Sequence, residues 1–172
     1  MSRRQWAFWG LFAVTLGVYL AMVLWSLPRL QDMAGGLAGF DLRPMGYSAS
    51  EARELLAALG PEGADFYLSV QLWIDSAYPG LMAAVLTFAF AALARGVWVW
   101  ILAAGAFVMA GCDYLENHAV AGLLRAGPDT VSDAMITAAS GWTLWKSISS
   151  TVVFTALLVL LVRAGWLRLR RH

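Results

Sequence analysis

Residues 97–124 read VWVWILAAGAFVMAGCDYLENHAVAGLL, and this stretch decides the fold. Its first part is apolar and uncharged up to Cys112, whereas Asp113, Glu116 and Asn117 follow at helical spacing. A transmembrane helix needs roughly 20 predominantly apolar residues. Residues three and four apart share one helix face, so these three polar side chains point the same way. The stretch therefore predicts a membrane span with a polar face in its second half.

The composition agrees with a membrane protein. Hydrophobic residues make up 60% of the 172 residues and charged residues only 13%, against about 25% charged residues in soluble domains. The nine tryptophans indicate the same class, because Trp favours the membrane–water interface. Three more apolar segments are long enough to span a membrane. We predict an all-α, polytopic membrane protein, a four-transmembrane-helix bundle in one domain over residues 1–172, with spans at 6–27, 66–94, 97–124 and 133–163.

The long connection at residues 28–65 contains a further helix. Ser48 and Glu51 form a capping-box pattern, which marks a helix start. The apolar residues that follow repeat at helical spacing, and a Gly-Pro pair ends the pattern. We therefore expect an amphipathic helix at residues 49–59, on the outer membrane surface or over the mouth of the bundle. Its apolar face is made by Ala52, Leu55, Leu56 and Leu59.

Prolines and small residues predict local details of two helices. Pro28 is expected to end the first helix and Pro79 to kink the second, because proline lacks an N–H and collides with the preceding turn. Ala13, Gly17 and Ala21 recur every four residues in the first helix. Such a stripe of small residues favours close contact with a neighbouring helix.

The distribution of charge predicts the orientation. Residues 1–5, 95–96 and 163–172 carry seven of the twelve basic residues and none of the eleven acids. Cytoplasmic loops of membrane proteins are enriched in Lys and Arg. We therefore expect a multi-pass protein of the cell inner membrane, with both termini in the cytoplasm and the 28–65 connection outside.

Charged residues inside the predicted spans are the main functional signal. Asp75, Asp113, Glu116 and Lys146 interrupt apolar segments, where each charge costs ~2.5–3.5 kcal/mol on insertion scales. Counting about 1.5 Å per residue from the predicted cytoplasmic helix ends puts all of them at roughly 24–30 Å, in the outer leaflet. We expect one polar layer, open toward water outside and closed below, in which Lys146 is the counter-ion of the acids.

Helical spacing extends this layer to a predicted site. Gln71 and Tyr78 lie on the aspartate face of the second span, and Trp142 lies on the lysine face of the fourth. If the site is catalytic, one aspartate is the general acid or base and the lysine holds charge or a head group; the residues concerned are Asp75, Asp113 and Lys146. The helix at 49–59 is then a lid. The predicted substrate-binding residues are Gln71, Tyr78, Glu116, Asn117 and Trp142.

The sequence leaves the reaction and the ligand open. Our first hypothesis is an outer-leaflet pocket that binds or modifies an amphipathic ligand, such as a lipid or an isoprenoid. The alternative is a non-catalytic membrane subunit whose buried charges only fix helix packing. A third hypothesis is an ion- or proton-coupled carrier, which would need a polar path toward the cytoplasm.

The sequence limits the possible cofactors and partners without identifying them. With one cysteine and no Cys/His cluster we assign no metal site, although the carboxylates of Asp113 and Glu116 suit Mg²⁺ or Ca²⁺ better than Zn²⁺. No cofactor motif is present, so the cofactor stays unassigned. The absence of a basic patch with interleaved aromatics argues against nucleic acid. The expected partners are membrane lipids, an amphipathic small molecule and other subunits of a homo- or hetero-oligomer.

Overall fold

A computed structural model describes residues 2–170 of the chain, and this part is helical, without a β-strand. Four continuous helical segments in it are long and apolar enough to cross a membrane. The protein is therefore a multi-pass membrane protein, and the predicted all-α four-helix fold is confirmed. The helices are α1 (Arg3–Met33), α2 (Ala49–Phe66), α3 (Leu72–Leu93), α4 (Val97–Thr130) and α5 (Asp133–Leu169).

Helix α4 lies at the centre of the bundle, because it packs against both α3 and α5, whereas α1 packs mainly on α3. Residues 34–60 connect α1 to the second span and pack across one end of the bundle; we call them the covering segment and this end the covered end. The opposite end carries residues 3 and 169 and is called the terminal end. The covering segment contains a 3₁₀ turn, Phe40–Leu42, and the first part of α2.

The start of α2 forms as the sequence predicts. The Ser48 hydroxyl accepts a hydrogen bond from the Glu51 N–H, and the Glu51 carboxylate accepts one from the Ser48 N–H at 2.7 Å. This reciprocal bonding satisfies two N–H groups that have no partner within the helix. The predicted apolar face is the buried face, and it packs mainly on α4: Ala52, Leu55, Leu56 and Leu59.

Two Gly-Pro pairs break helices in the same way. Gly60 has φ 59° and ψ −171°, and Gly127 has φ 71° and ψ 176°, a conformation that is open almost only to glycine. Pro61 and Pro128 follow, and proline disfavours the helical conformation in the residue before it. The amphipathic helix therefore ends at Gly60 as predicted, whereas the third span continues to Gly127, beyond the predicted residue 124.

The prediction that the first helix ends before Pro28 is wrong. A π-helical turn at Met22–Ser26 precedes this proline, and the Leu27 N–H donates to the Met22 carbonyl five residues back. A wider turn gives room for a proline ring that would collide with the carbonyl of a regular α-turn. Helix α1 therefore continues through Pro28 to Met33.

The backbone stays helical through Pro79, and an irregular turn occurs earlier, at the π-helical residues Tyr67–Gln71 that join α2 to α3. Two further expectations differ from the structure. Helix α5 continues to Leu169, beyond the predicted residue 163. The small-residue stripe of α1 does not pack within the described part of the chain, because Gly17 is exposed and a Cβ built on it meets no atom within 4 Å.

The apolar interior consists of two clusters that are separated along the bundle. The cluster at the covered end packs the covering segment against the nearer halves of α1, α3, α4 and α5. It includes Leu30, Phe40, Leu55, Tyr67, Val120 and Ile136. The cluster at the terminal end joins α3, α4 and α5 through Ala83, Leu86, Phe90, Ala106, Met109, Ala110 and Val153. The charged residues of the spans lie in the sequence intervals between these clusters on α3, α4 and α5.

We predict that Gly60→Ala lowers the stability of the protein by about 1–3 kcal/mol, because an L-residue is strained in this conformation. The matched control is Gly10→Ala, since Gly10 lies in regular helix with no neighbouring atom within 4 Å. Alanine there is expected to be neutral or to stabilise by roughly 0.5–1 kcal/mol. Thermal unfolding in detergent measures both effects. A Gly60→Ala protein that melts at or above the wild-type temperature contradicts the assigned break.

Candidate functional site

The buried charges meet in one layer between the two apolar clusters. Asp75 comes from α3; Asp113, Glu116 and Asn117 come from α4; Lys146 comes from α5. We call these five residues the polar layer. The three carboxylates and the amide are buried, and Glu116 is fully inaccessible. Their burial in an apolar bundle means that each interaction between them is strong and each missing partner is costly.

Lys146 connects α5 to α4 through two carboxylates. Its Nζ lies 2.7 Å from Asp113 Oδ1 and 2.7 Å from Glu116 Oε2. The two acids are three residues apart on one helix, so both side chains reach the same ammonium group. The lysine is therefore the counter-ion of these acids, as the spacing predicts.

Other polar atoms of the layer have no hydrogen-bond partner in the protein. They are Asp75 Oδ2, Glu116 Oε1, and both Oδ1 and Nδ2 of Asn117. An unpaired buried polar group costs about 1–3 kcal/mol, and more when it is charged. A network whose only role is packing is expected to satisfy its members. The polar layer therefore contains hydrogen-bonding atoms that do not take part in joining its helices.

The covering segment adds a fourth carboxylate that sequence reasoning missed. Asp41, on the 3₁₀ turn, accepts a hydrogen bond from the Tyr67 hydroxyl at 2.6 Å. Its other oxygen, Oδ1, is buried without a partner. The charge of Asp41 acts on Asp75, Asp113, Glu116 and Lys146. The only sequence signal is an acid between Phe40 and Leu42 in a loop, which has no periodicity that would place it.

The covering segment packs over the polar layer at the covered end, so the expected opening at this end is wrong. The Tyr47 N–H donates to the Ser140 hydroxyl of α5 at 2.9 Å, and the Phe40 ring packs on the Tyr47 ring at a centroid distance of 4.8 Å. Burial raises the pKa of the Tyr47 phenol above its ordinary range. Arg53 bonds to Asp133 at 2.6 Å and fixes α2 to the start of α5. The layer thus has apolar packing on both sides.

A cavity of about 480 Å³ lies beside the layer, between α1, α3 and α5. Its wall is apolar except for Thr15, Tyr19 and Tyr78, and the Thr15 hydroxyl already donates to the Leu11 carbonyl. The Tyr19 and Tyr78 rings lie 6.0 Å apart at one end. The cavity exists because α1 packs on α3 and leaves a gap toward α5. We call it the groove.

Tyr78 connects the groove to the polar layer. It lies three residues after Asp75 on α3, and the charges of Asp75, Asp113 and Lys146 act on its phenol. The same side chain lines the groove. The apolar groove therefore ends at a polar hydroxyl near the buried charges.

The remaining predicted site residues lie elsewhere. Gln71 is buried in the π-helical turn, and its Oε1 accepts a hydrogen bond from the Ser26 hydroxyl of α1 at 2.6 Å, so its resolved bond joins two helices. Trp142 is half-buried on α5, one turn before Lys146, and does not line the groove. Thr143, which sequence reasoning did not single out, is buried on α5 beside the layer.

No group of three or more His, Cys, Asp or Glu side chains in residues 2–170 is arranged to hold a metal ion. Cys112 is half-buried and His118 is exposed. The acids are arranged around an ammonium group, which already occupies two carboxylates.

No protein-family model, curated protein or solved structure matches this chain.

We predict that Lys146→Met destabilises the protein by roughly 3–5 kcal/mol, because it leaves two buried carboxylates without a counter-ion. Adding Glu116→Gln to this variant is expected to restore part of the loss, so a double-mutant cycle gives a coupling of about 0.5–3 kcal/mol. Unfolding in detergent measures the cycle.

The control cycle uses Arg53→Met and Asp133→Asn. This pair has a 2.6 Å contact, but its side chains are 40% and 75% exposed. An exposed pair contributes at most about 1 kcal/mol. Equal coupling in the two cycles contradicts the burial argument for Lys146.

Proposed function

We propose that the protein binds an amphipathic, lipid- or isoprenoid-like ligand within the membrane. The hydrocarbon chain occupies the groove and the polar head lies at Tyr78 beside the polar layer. The observation that carries this proposal is that Tyr78 belongs both to the apolar wall and to the surroundings of Asp75 and Asp113.

The groove has suitable dimensions for one hydrocarbon chain. Its volume of about 480 Å³ lies within the roughly 300–1,000 Å³ of small-molecule sites. Along α1 its wall runs from Phe8 to Tyr19, which is about 16 Å at 1.5 Å per residue. Half of a hydrocarbon core of about 30 Å has nearly the same thickness. The groove therefore has the length of a hydrocarbon chain that spans one leaflet.

The polar end supplies the features of a head-group site. Asp75 is buried, and its Oδ2 has no protein partner. The Asn117 amide lies beside Asp75, and neither of its polar atoms has a well-formed hydrogen bond. Ligand sites are typically apolar with a few polar groups that fix orientation. The groove and the layer together have this composition.

In a catalytic form of this function, Asp75 or Asp113 exchanges a proton with the head group. Buried carboxyl groups without full pairing suit acid–base roles, because burial disfavours their charged form. Lys146 holds the opposite charge between Asp113 and Glu116. Asn117 and Tyr78 orient the substrate.

The competing function is a membrane subunit in which the charges only fix helix packing. It is favoured by the two contacts that join Lys146 of α5 to α4. The unpaired atoms of Asp75 and Asn117 favour the binding function instead. A carrier is disfavoured, because the cluster between the layer and the terminal end is apolar throughout.

We further propose that the protein resides in a cell inner membrane with both termini in the cytoplasm. Seven of the twelve basic residues belong to the segments 1–5, 95–96 and 163–172 at the terminal end, whereas all eleven acids lie at the covered end or in the layer. The covering segment then faces the outer side, and the groove's polar end lies in the outer leaflet.

We predict that a hexadecanol probe with a photoactivatable group on its chain labels the groove wall on α1 and α5. Ala89→Phe is expected to reduce this labelling severalfold, because Ala89 lines the groove and the larger ring fills it. Mass spectrometry of the cross-linked peptides in nanodiscs measures the effect.

The control is Ala104→Phe, an exposed position of α4 outside the groove. By helical rise, Ala89 and Ala104 lie about 6 and 10 Å from the terminal end of their helices, so both are in its first turns. Labelling spread evenly over all lipid-facing helices, and unchanged by Ala89→Phe, contradicts the binding function.

We predict the orientation from fusions of alkaline phosphatase and of green fluorescent protein. A fusion after residue 170 is expected to fluoresce and to lack phosphatase activity, whereas a phosphatase inserted in residues 35–39 is expected to be active. The opposite pattern contradicts the proposed orientation.

A further inference from the structure

We propose that the head group bound at the polar end of the groove is a cation, so that the preferred ligand is a single-chain amine rather than an alcohol or a phosphate. This inference rests on the proposed function and names the chemistry of its ligand. It follows from the charges around Tyr78, the unpaired atoms near it and the aromatic pair at this end of the groove.

The ionisable side chains around the polar end are mostly acidic. Four carboxyl groups lie there, and the charge of Asp41 acts on Asp75, Asp113 and Glu116. One ammonium group, that of Lys146, faces them. Arg43 lies 3.9 Å from Glu51, and Arg53 bonds to Asp133, so both nearby arginines contact other acids. A cationic head reduces the excess negative charge, whereas a phosphate increases it.

The unpaired atoms are acceptors, which a ligand with hydrogen-bond donors would satisfy. Asp75 Oδ2, Asp41 Oδ1 and Glu116 Oε1 are acceptors when the carboxylates are ionised. An ammonium group has three donors and no acceptor, so it complements this set. A hydroxyl offers one donor, and a phosphate dianion offers none. Among these acceptors, Asp75 is the one closest in sequence to the groove residue Tyr78, which follows it by three residues on the same helix.

The aromatic pair at the polar end favours the same charge. The Tyr19 and Tyr78 rings lie 6.0 Å apart and both line the groove. The face of an aromatic ring attracts a cation within about 6 Å. An ammonium head at this end of the groove therefore lies beside the two rings and about one helical turn from Asp75.

The test is a competition against the photoactivatable hexadecanol in nanodiscs of phosphatidylcholine at pH 7. The competitors are hexadecylamine, hexadecanol and hexadecyl phosphate, which share one chain and differ in the head. We expect hexadecylamine to displace the probe at a concentration about tenfold below that of hexadecyl phosphate, with hexadecanol between them. Probe bound to Ala89→Phe protein provides the baseline for labelling outside the groove.

Two variants assign the preference to the layer. Asp75→Asn is expected to raise the displacing concentration of hexadecylamine until it is close to that of hexadecanol, because the amine loses its ionic partner. Asp41→Asn is expected to reduce the preference in the same direction, and it lies outside the transmembrane helices, so it serves if Asp75→Asn fails to fold. Asp129→Asn, an exposed acid at the end of α4, is expected to change nothing.

The failures of the two proposals are distinct. Equal displacement by all three amphiphiles, or stronger displacement by hexadecyl phosphate, overturns the inferred cation preference but leaves a chain-binding groove. An amine preference that persists in both Asp75→Asn and Asp41→Asn overturns the assignment to these carboxylates. Labelling that Ala89→Phe does not reduce overturns the groove itself, and with it the proposed function.

Discussion

The ion pairs of Lys146 with Asp113 and Glu116 are the constraint on which the rest of the structure depends. Charge inside a membrane protein is tolerated only where it is paired and shielded from lipid. The ammonium group meets both carboxylates at 2.7 Å, which fixes the rotation and height of α5 against α4. The apolar clusters on either side then surround the charges. Helix packing in this bundle is therefore arranged around a buried polar layer.

The covering segment has the second decisive role, because it converts an interfacial polar layer into a buried one. Its Gly-Pro break and capping box direct α2 across the end of the bundle, and its 3₁₀ turn brings Asp41 next to the transmembrane charges. Hydrogen bonds from Tyr67 to Asp41 and from Tyr47 to Ser140 hold it there. The groove beside α1 then leads toward the layer at Tyr78, and its wall is mainly apolar.

The layer combines satisfied and unsatisfied interactions, and this combination supports the proposed binding site over a role in helix packing alone. Lys146 is fully engaged, whereas Asp75 and Asn117 retain unpaired atoms in the interior. Such atoms lower stability, so their presence beside an apolar groove of ligand size is a functional signal. The shared position of Tyr78 joins the two features.

Hydrophobic length, helical spacing and turn chemistry act locally, so the sequence alone determined the four spans, the capped helix at 49–59 and the shared face of Asp113, Glu116 and Asn117. Non-local packing decided the rest. A π-helical turn allows α1 to continue past Pro28. The loop residue Asp41 lies near the layer because it bonds to Tyr67, a contact that no periodic pattern in the sequence indicates. Gln71 turned to Ser26 rather than to the charges. The closed layer and the groove arise only when separate helices meet, which a residue pattern within one helix does not specify.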